Sequence, residues 1–376
     1  MEIRQRIGFS SADAVRSDSV LNLPSYSPVT HGMCQLDLIH SNGRIISADP
    51  VLGSMHRGAE KLFESRDYRQ VLGLANRHEW LSAFSGEVGI AQLIERELGI
   101  DVPIHARWLR TLILEVSRIT SHAAFLAGFP WLEEELTLNI RLMRERFVNH
   151  IRLFTGSRMH PMLTQIGGIT HAPTAKWLME LDGLVRDSIV VTESFEEGIA
   201  SKLRQYQSVG VLSQPAVVDC AVSGPAARAS GLAIDQRNLA TDLLYPKLQT
   251  FRSTTRSSGD ISARLLQLLD EVKIACEVVS ECVGECLSHI GYEVNVLIPK
   301  VLRVPEGEYE HSIETPLGIA SWFLVSRGDK YPYRLKLRPA SLHTVLALPE
   351  VLRGQSIDML EPIVASMPFI AGDVDR

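Results

Sequence analysis

Residues 136–154, LTLNIRLMRERFVNHIRLF, decide the fold class of this chain. Large apolar side chains recur along the segment at intervals of 4, 3, 4, 4 and 3 residues, at Leu136, Ile140, Met143, Phe147, Ile151 and Phe154. This spacing places them on one face of an α-helix, with arginine and glutamate on the opposite face. A continuous seam of this kind is typical of helical bundles. We therefore predict a buried bundle helix that ends before Gly156.

The helical period continues on both sides of this segment. Gly99 marks the end of the preceding helix, because glycine readily adopts the left-handed conformation of a helix stop. Pro103 opens the next helix, since proline is tolerated in a first turn, and Pro130 closes it. The predicted helices besides 136–154 are residues 86–98, 103–130, 173–205 and 261–290.

Both ends of the chain change to the period-two alternation of β-strands. Residues 33–48, MCQLDLIHSNGRIISA, contain Asn42-Gly43, which supplies the positive φ angles of a tight hairpin turn. Residues 319–326 and 333–338 flank the turn sequence RGDK and predict a second hairpin. The expected fold class is mainly α with small β elements (α+β), built around a helical bundle.

We find no internal repeat, and no linker long enough to separate independent domains. The chain is therefore expected to form one domain over residues 1–376. Its predicted parts are a β-rich N-terminal part at about residues 20–50, a helical bundle at about 59–295 and a C-terminal β-hairpin part at about 305–376.

Composition narrows the class of function. The chain has 38 lysines and arginines against 44 aspartates and glutamates, a net charge of −6, which excludes a dedicated nucleic-acid binder. No apolar run reaches the roughly 18 residues of a membrane span, and residues 1–19 lack the apolar region of a signal peptide. Five cysteines indicate a reducing compartment. We expect a cytosolic globular protein that sits on a membrane if it works at one.

Three cysteines lie on one predicted helix. Cys282 and Cys286 share a face, Cys276 lies on another, and His289 follows closely. Metal and iron–sulfur sites space their cysteines in loops that wrap the ion, whereas a helix holds these thiols apart. Small buried thiols are the favoured interpretation. Phosphate-binding glycine motifs and the common hydrolase motifs are also absent from the sequence.

Two short polar strings stand out. Thr30-His31-Gly32 places a histidine directly before the first hairpin, and residues 56–61 read HRGAEK at a helix start. By local physics alone, His31 is more often structural or solvated, and Arg57 and Glu60 would form an ion pair along one helix. The strand RLKLR at 334–338 places three cations on one face, which is typical of a solvated surface.

These strings belong to an ordered set that spans nearly the whole chain. The set comprises THG at 30–32, DP at 49–50, HRGAEK at 56–61, RITSH at 118–122, RER at 144–146, GSRMH at 156–160, IGG at 166–168, RASG at 228–231, PYRLKLR at 332–338 and GDVDR at 372–376. In this order the strings resemble the 49 kDa-type subunit of the proton-pumping NADH–quinone oxidoreductase, respiratory complex I. That family is related to the large subunits of nickel–iron hydrogenases.

The resemblance implies a peripheral-arm subunit that forms part of a quinone-binding chamber on the cytoplasmic side of the cell membrane. This chain would bind no cofactor itself; quinone is the substrate, while NADH, FMN and iron–sulfur clusters belong to partner subunits. The implied partners are the iron–sulfur subunit beside the chamber, other peripheral-arm subunits and a membrane-arm subunit at the junction. The implied activity is quinone reduction coupled to proton translocation.

The resemblance also implies the site residues. The family's quinone headgroup lies between the histidine of Thr-His-Gly and a tyrosine; His31 keeps the first role and Trp80 stands at the tyrosine position. Tryptophan offers one N–H donor but cannot release a proton as a phenol can. The aspartate expected to recharge the histidine aligns with Leu132, and Glu133 follows it. The catalytic residues are thus His31 and Trp80, and the quinone pocket comprises Thr30, His31, Trp80, Glu133 and Phe369.

Two further segments depart from related patterns. Hydrogenases hold nickel and iron with two Cys-x-x-Cys pairs, whereas this chain reads RHEW at 77–80 and MPFI at 367–370. Because soft thiolates are needed for these metals, hydrogenase activity is excluded and no metal ligand is assigned. The family's E-x-x-R-G-E reads ETPLGI at 314–319, so an arginine is replaced by Leu317.

Two hypotheses follow for the function. The first is a catalytic subunit of NADH–quinone oxidoreductase, which His31 and the structural ionic motif Arg57, Glu60 and Lys61 favour. The alternative is a non-catalytic scaffold or interaction subunit of a related membrane-bound complex with a degenerate quinone pocket. Trp80, Leu132 and Leu317 favour the alternative.

Overall fold

The N-terminal part of the chain forms a four-stranded sheet. The computed structural model describes residues 3–8, 20–22, 34–130 and 132–376. The strands are β1 (Ile3–Gly8), β2 (Val20–Asn22), β3 (Gln35–Ser41) and β4 (Arg44–Val51), in the order β2-β1-β3-β4. Asn42 and Gly43 have φ angles of 49° and 73°, so the predicted hairpin between β3 and β4 is confirmed.

The first half of the bundle contains five helices. They are α1 (Ala59–Phe63), α2 (Tyr68–Ala75), α3 (Ala83–Glu97), α4 (Ile104–Gly128) and α5 (Glu134–Thr155). The predicted stops at Gly99 and Gly156 are confirmed, with φ angles of 62° and 78°. Along α5, Ile140, Met143 and Phe147 are buried, and the seam that decided the fold class faces the core.

The second half of the bundle adds two long helices and several short elements. These are β5 (Thr164–Gln165), β6 (Gly168–Ile169), α6 (Ala175–Leu203), α7 (Gln214–Asp219), α8 (Gly224–Ala229) and α9 (Ile261–Ser288). The side chains of Thr174 and Asp260 cap α6 and α9. Helix α4 packs against α5 and α9, and α6 packs against the same two helices, which closes a four-helix core.

A three-stranded antiparallel sheet and four short helices form the C-terminal part. They are β7 (Gly307–Thr315), β8 (Gly318–Ser326), β9 (Arg334–Arg338), α10 (Ala340–Leu346), α11 (Leu348–Leu352), α12 (Leu360–Ser366) and α13 (Ala371–Val374). The predicted hairpin of β8 and β9 is confirmed. Strand β7, which pairs with the other side of β8, was not predicted.

The cysteines of α9 are buried thiols, as predicted. Cys276, Cys282 and Cys286 are fully buried and form no disulfide, and burial raises the pKa of Cys276 to about 12. Within the described ranges, no cluster of three or more histidine, cysteine, aspartate or glutamate side chains is arranged to hold a metal ion. In the same ranges, no helix combines the length and apolar character needed to cross a bilayer.

Candidate functional site

The RHEW segment and the chain's last residues meet at Trp80 and Gly372. Trp80 opens a single 3₁₀ turn before α3, and Gly372 lies in α13. The six-membered ring of Trp80 occupies the space that a Cβ atom on Gly372 would need. Glycine is therefore required at position 372 for the tryptophan to lie there.

Trp80 also lines a cleft between α3, α4 and α5. The cleft contains about 510 Å³ of empty volume, including its open mouth. Its other lining residues are mainly apolar, with a few polar groups: Leu81, Ser82, Ala83, Phe84, Ile113, Val116, Ser117, Thr120, Arg144, Val148, Ile151, Arg158, Met159 and Pro161. Apolar walls with a small number of polar groups are the usual lining of a site for a small organic ligand.

Two arginines supply the charge in this cleft. Arg144 donates a hydrogen bond from Nε to the carbonyl oxygen of Thr120 at 3.2 Å, and burial lowers its pKa. Arg158 is half exposed and binds both carboxylate oxygens of Glu145 at 2.7 Å. The cations therefore come from the RER and GSRMH strings, which the sequence singled out without a role.

Two other residues predicted for the quinone pocket, Glu133 and Phe369, do not line this cleft. Thr30 and His31 lie outside the described residues. Glu133 is exposed at the start of α5, where its carboxylate binds Lys202 at 2.9 Å. Phe369 is buried in the hydrophobic core, and Leu132 packs against that core. Among the described residues, Trp80 is thus the member of the predicted pocket that the structure places in the cleft.

Two buried carboxyl groups flank the contact between Trp80 and Gly372. They belong to Glu79 and Asp373, the chain neighbours of the two contacting residues, and both are buried. One oxygen of each carboxyl has no hydrogen-bond partner among the described residues. Sequence reasoning did not assign either residue to the site; the terminal GDVDR string and the RHEW segment were the signals that could have done so.

The ionic motif of residues 57–61 is arranged differently from the predicted ion pair. Arg57 donates to the carbonyl oxygen of Arg77 at 2.5 Å, and Lys61 binds Glu64 at 2.8 Å. The predicted pair of Arg57 with Glu60 is wrong, because Gly58 starts α1 in a left-handed conformation. Arg57 therefore lies outside the helix, and the one-turn spacing does not apply to it.

Glu60 instead joins α1 to two distant parts of the chain. Its carboxylate accepts hydrogen bonds from Arg334, from the backbone N–H of Leu337 at 3.1 Å and from Arg376 at 3.0 Å. Although burial acts to raise it, these bonds together lower the pKa of Glu60. Helix α1, β9 and the end of the chain are thereby held at one point.

The solvated face predicted for the RLKLR strand is wrong for two of its three cations. Arg334 binds Glu60 of α1 and Glu64 directly after it, and Arg338 donates from Nε to Nε2 of His343 at 2.8 Å. Lys336 is exposed. Helix α1 packs against β9, and Glu60 in this helix and Glu64 directly after it hold the partly exposed Arg334 in ion pairs.

Asp375 fixes the loop between β4 and α1. Its two carboxylate oxygens accept hydrogen bonds from the backbone N–H groups of Gly53 at 2.7 Å and Met55 at 2.8 Å. An open groove of about 940 Å³ runs along this contact, lined by residues that include His56, Glu60 and Arg376. The terminal string therefore positions the HRGAEK loop.

A buried network of charges occupies the centre of the molecule behind these contacts. Arg228 of α8 binds Glu271 of α9 at 2.8 Å and Glu314 of β7 at 2.7 Å. Arg118 and His122 of α4 also reach Glu271, at 3.7 Å and 3.1 Å. Burial opposes ionisation, yet the Arg228 charge holds the pKa of Glu271 well below its usual value. The RITSH and RASG strings thus serve to join three helices and a strand.

Comparison with known proteins identifies the family of this chain. The family described as "Respiratory-chain NADH dehydrogenase, 49 Kd subunit" matches residues 136–376. The D-type subunit 1 of NADH-quinone oxidoreductase from Streptomyces coelicolor is 42% identical over 98% of this chain and 98% of its own length. The D-type subunit 2 from Streptomyces griseus is 40% identical over 98% of this chain and 95% of its own. The chain belongs to this family.

A solved structure shares the fold of this 49 kDa-type subunit. A chain of the membrane-bound sulfane sulfur reductase, an archaeal respiratory membrane complex, superimposes with a TM-score of 0.85 at 25% identity. The match covers 94% of this chain and 97% of the other. Membership of the 49 kDa family confirms the fold class and makes this chain part of a multi-subunit respiratory complex, whose other subunits are its expected partners.

Proposed function

We propose that this chain forms part of the quinone-binding chamber of an NADH–quinone oxidoreductase and that quinone is reduced beside Trp80. The observation that carries the proposal is the mainly apolar cleft lined by Trp80, whose ring also packs against Gly372. A flat, largely apolar headgroup with two oxygens matches apolar walls and a few polar donors.

The chemistry assigned to the site follows from what quinone reduction requires. Two electrons and two protons convert a quinone to a quinol, and negative charge develops on the quinone oxygens as the electrons arrive. A donor aimed at an oxygen stabilises that charge and can deliver a proton. His31 suits this role because the reference pKa of histidine, about 6.5, is close to working pH. Trp80 provides an apolar face and an N–H donor at the other side of the headgroup.

Glu133 and Phe369 keep narrower proposed roles. Glu133 follows Leu132, the residue at the position of the family's recharging aspartate, and would return a proton to His31. Its present partner is Lys202, so this role requires Glu133 to leave that ion pair. Phe369 supports the chamber from the core beneath α13.

The electrons are proposed to come from a partner. In this proposal an iron–sulfur subunit lies beside the chamber, NADH and FMN bind to other peripheral-arm subunits, and a membrane-arm subunit carries out proton translocation. The chain would then sit on the cytoplasmic side of the membrane as a peripheral subunit. A hydrogenase role is not proposed, because positions 77–80 and 367–370 carry no thiol with which to hold nickel.

A non-catalytic scaffold remains the second candidate, and Trp80 and Leu317 favour it. Trp80 removes the phenol from the headgroup site, and Leu317 lies buried at the turn between β7 and β8 where the family pattern has an arginine. The structural neighbour is named for the reduction of sulfane sulfur, so this fold also serves complexes with another named activity.

The deciding experiment uses the native complex purified with this chain in place. We expect inhibitor-sensitive NADH–quinone activity, and a loss of at least about tenfold in quinone turnover for His31→Ala in membranes matched for assembled complex. Full turnover in His31→Ala, or no quinone activity in the wild-type complex, would favour the scaffold. Lys176→Ala, which changes an exposed cation on α6, is the control for assembly and should retain wild-type turnover.

A further inference from the structure

Glu79 and Asp373 are the chain neighbours of the two residues in the contact between Trp80 and Gly372. Glu79 precedes Trp80 in the chain, and Asp373 follows Gly372, against which the Trp80 ring packs. Their exposed fractions are 7% and 3%. Oε1 of Glu79 and Oδ2 of Asp373 have no hydrogen-bond partner among the described residues. Two buried carboxyl groups with spare oxygens therefore flank the tryptophan.

Their surroundings differ from those of a structural carboxyl in the same fold. Glu87 of α3 is equally buried, but its oxygens accept hydrogen bonds from the side chain of Asn76 and from the backbone N–H groups of Met162, Leu163 and Thr164. A buried polar atom without a partner costs free energy, so a purely structural carboxyl is expected to be fully bonded, as Glu87 is. The incomplete bonding of Glu79 and Asp373 points to another role.

The groups that face Glu79 come from three elements. Burial raises its pKa well above the usual value, and the charge of Asp373 on α13 raises it further, as does Glu314 on β7. A hydrogen bond from Thr315 of β7 and the charge of Arg118 on α4 act in the opposite direction but do not reverse the shift. The net effect is a pKa raised well above the usual value, so the protonated form of Glu79 is favoured.

Asp373 is the second carboxyl of the pair. Burial raises its pKa to about 6, while hydrogen bonds from Ser341 of α10 and the charge of Arg376 limit the rise. Burial and the mutual repulsion of the two carboxylates therefore both favour keeping a proton on the pair. Two carboxylates in one buried site repel each other, so a proton lost from Glu79 is strongly drawn back.

We propose that Glu79 and Asp373 form a proton-donating pair that supplies reduced quinone with the proton that Trp80 cannot release. This inference rests on the proposed function. In the balanced step, quinone would take up two electrons delivered one at a time from the partner subunit, one proton from His31 and one from Glu79, which gives quinol. Glu79 is left as a carboxylate beside Asp373 and recovers its proton from water, and His31 is recharged separately.

The first test is a rescue experiment on the purified complex. Glu79→Gln keeps the size of the side chain but cannot donate a proton as an acid, so turnover should fall by at least about tenfold. Adding Trp80→Tyr to Glu79→Gln should restore most of the activity, because the phenol again offers a proton at the same ring position. Glu180→Gln, which changes an exposed carboxyl on α6, should retain wild-type turnover. Full activity in Glu79→Gln, or no rescue by Trp80→Tyr, would overturn the pair.

The second test measures pH dependence. Turnover requires protonated Glu79, so it should be lost as pH rises through the pKa of Glu79. Asp373→Asn removes a negative charge that raises this pKa, and the alkaline loss of turnover should therefore move to lower pH. An unchanged profile, or a move to higher pH, contradicts the proposal.

The third test needs no variant and applies even where a variant fails to assemble. The infrared difference spectrum of the wild-type complex on quinone reduction should contain a change in a protonated-carboxyl band. A spectrum without such a band counts against the pair. Failure of the proposed function would look different: the wild-type complex would lack quinone activity, or His31→Ala would be fully active. If the wild-type complex is active and His31→Ala is impaired while the carboxyl tests fail, the pair alone is wrong.

Discussion

The ring of Trp80 lies where a side chain on Gly372 would have to be. This relationship makes the 3₁₀ turn before α3 and the short helix α13 a single unit, although Trp80 and Gly372 are 292 positions apart in the sequence. The cleft of the proposed site is one consequence, because α13 fixes where its aromatic wall lies.

Gly372→Ala should therefore displace Trp80. Overpacking of a filled site typically costs about 1–3 kcal/mol, and the misplaced ring should also lower quinone turnover. Thermal unfolding and turnover of the purified complex would measure both effects. Gly284→Ala is the matched control, since Gly284 lies in α9 with open space around it and alanine favours helix. Equal behaviour of the two variants would contradict the tight contact.

Ile140→Asp should prevent stable accumulation of the chain. Ile140 is fully buried in the α5 seam, and an unpaired carboxylate there would be forced into the hydrophobic core. Immunoblots of cell extracts provide the measurement. Leu142→Asp, two residues away on the exposed face of α5, should accumulate normally. Normal levels of Ile140→Asp would refute the role of the seam.

Arg228→Leu should destabilise the chain strongly. Removing one partner of a buried ion pair typically costs about 3–5 kcal/mol. Here Glu314 would lose its ion-pair partner and Glu271 would lose one of its partners. Arg146→Leu breaks an exposed pair with Asp187 and should cost no more than about 1 kcal/mol. Chemical denaturation of the two variant complexes, followed through loss of this subunit, would distinguish the costs.

Acid should loosen α1 through Glu60. The folded-state pKa of Glu60 is lowered, so its contribution to stability is present above the unfolded value of about 4.5 and is lost as pH falls through the folded pKa. Hydrogen exchange of the α1 amides in the complex should accelerate on acidification below about pH 4.5, relative to the same amides in Glu60→Gln. Comparison at each pH cancels the intrinsic exchange rates. Identical acid responses would show that Arg334 and Arg376 do not stabilise the helix through this carboxylate.

Trp80→Tyr should preserve or raise quinone turnover while the complex assembles normally. Tyrosine restores a phenol with a transferable proton at the position where the resemblance to the family predicts one. Steady-state assays at matched amounts of complex provide the measurement. Trp80→Leu is the matched comparison, because it removes both the aromatic face and the N–H donor, and its turnover should fall. A fall in Trp80→Tyr to the level of Trp80→Leu would mean that the cleft requires the indole itself.

The sequence predicted those parts of the fold whose signals are local. The α5 seam, the six in-register apolar positions of α9 and the Asn42-Gly43 turn each repeat or concentrate a preference within a few residues. Strand β7 carries no such signal, because its residues GEYEHSIET are mostly polar. The partner of its buried Glu314 is Arg228, 86 residues earlier in the chain.

The candidate site was predictable only in part, for a related reason. Trp80 was assigned through the family resemblance that the ordered motifs carry. The sequence does not distinguish a buried glutamate such as Glu79 from a solvated one. Its protonation depends on burial and on Asp373, which lies 294 positions away in the chain. Likewise, the pairing of Glu60 with Arg376 depends on how the termini of distant elements meet and not on helical spacing.

The hydrogen bonds from Gly53 and Met55 to Asp375 bear on the order in which the molecule folds. They join residues 322 and 320 positions apart, so they cannot form until almost the whole described chain has been synthesised. Contacts between residues so far apart in the sequence form slowly, because closing the long loop between them costs conformational entropy. The four-helix core of α4, α5, α6 and α9 can pack earlier, since it needs nothing beyond residue 288. A newly made chain would thus pass through a stage in which the bundle has formed but Gly372 does not yet pack against Trp80, so that the ring has no fixed position in the cleft.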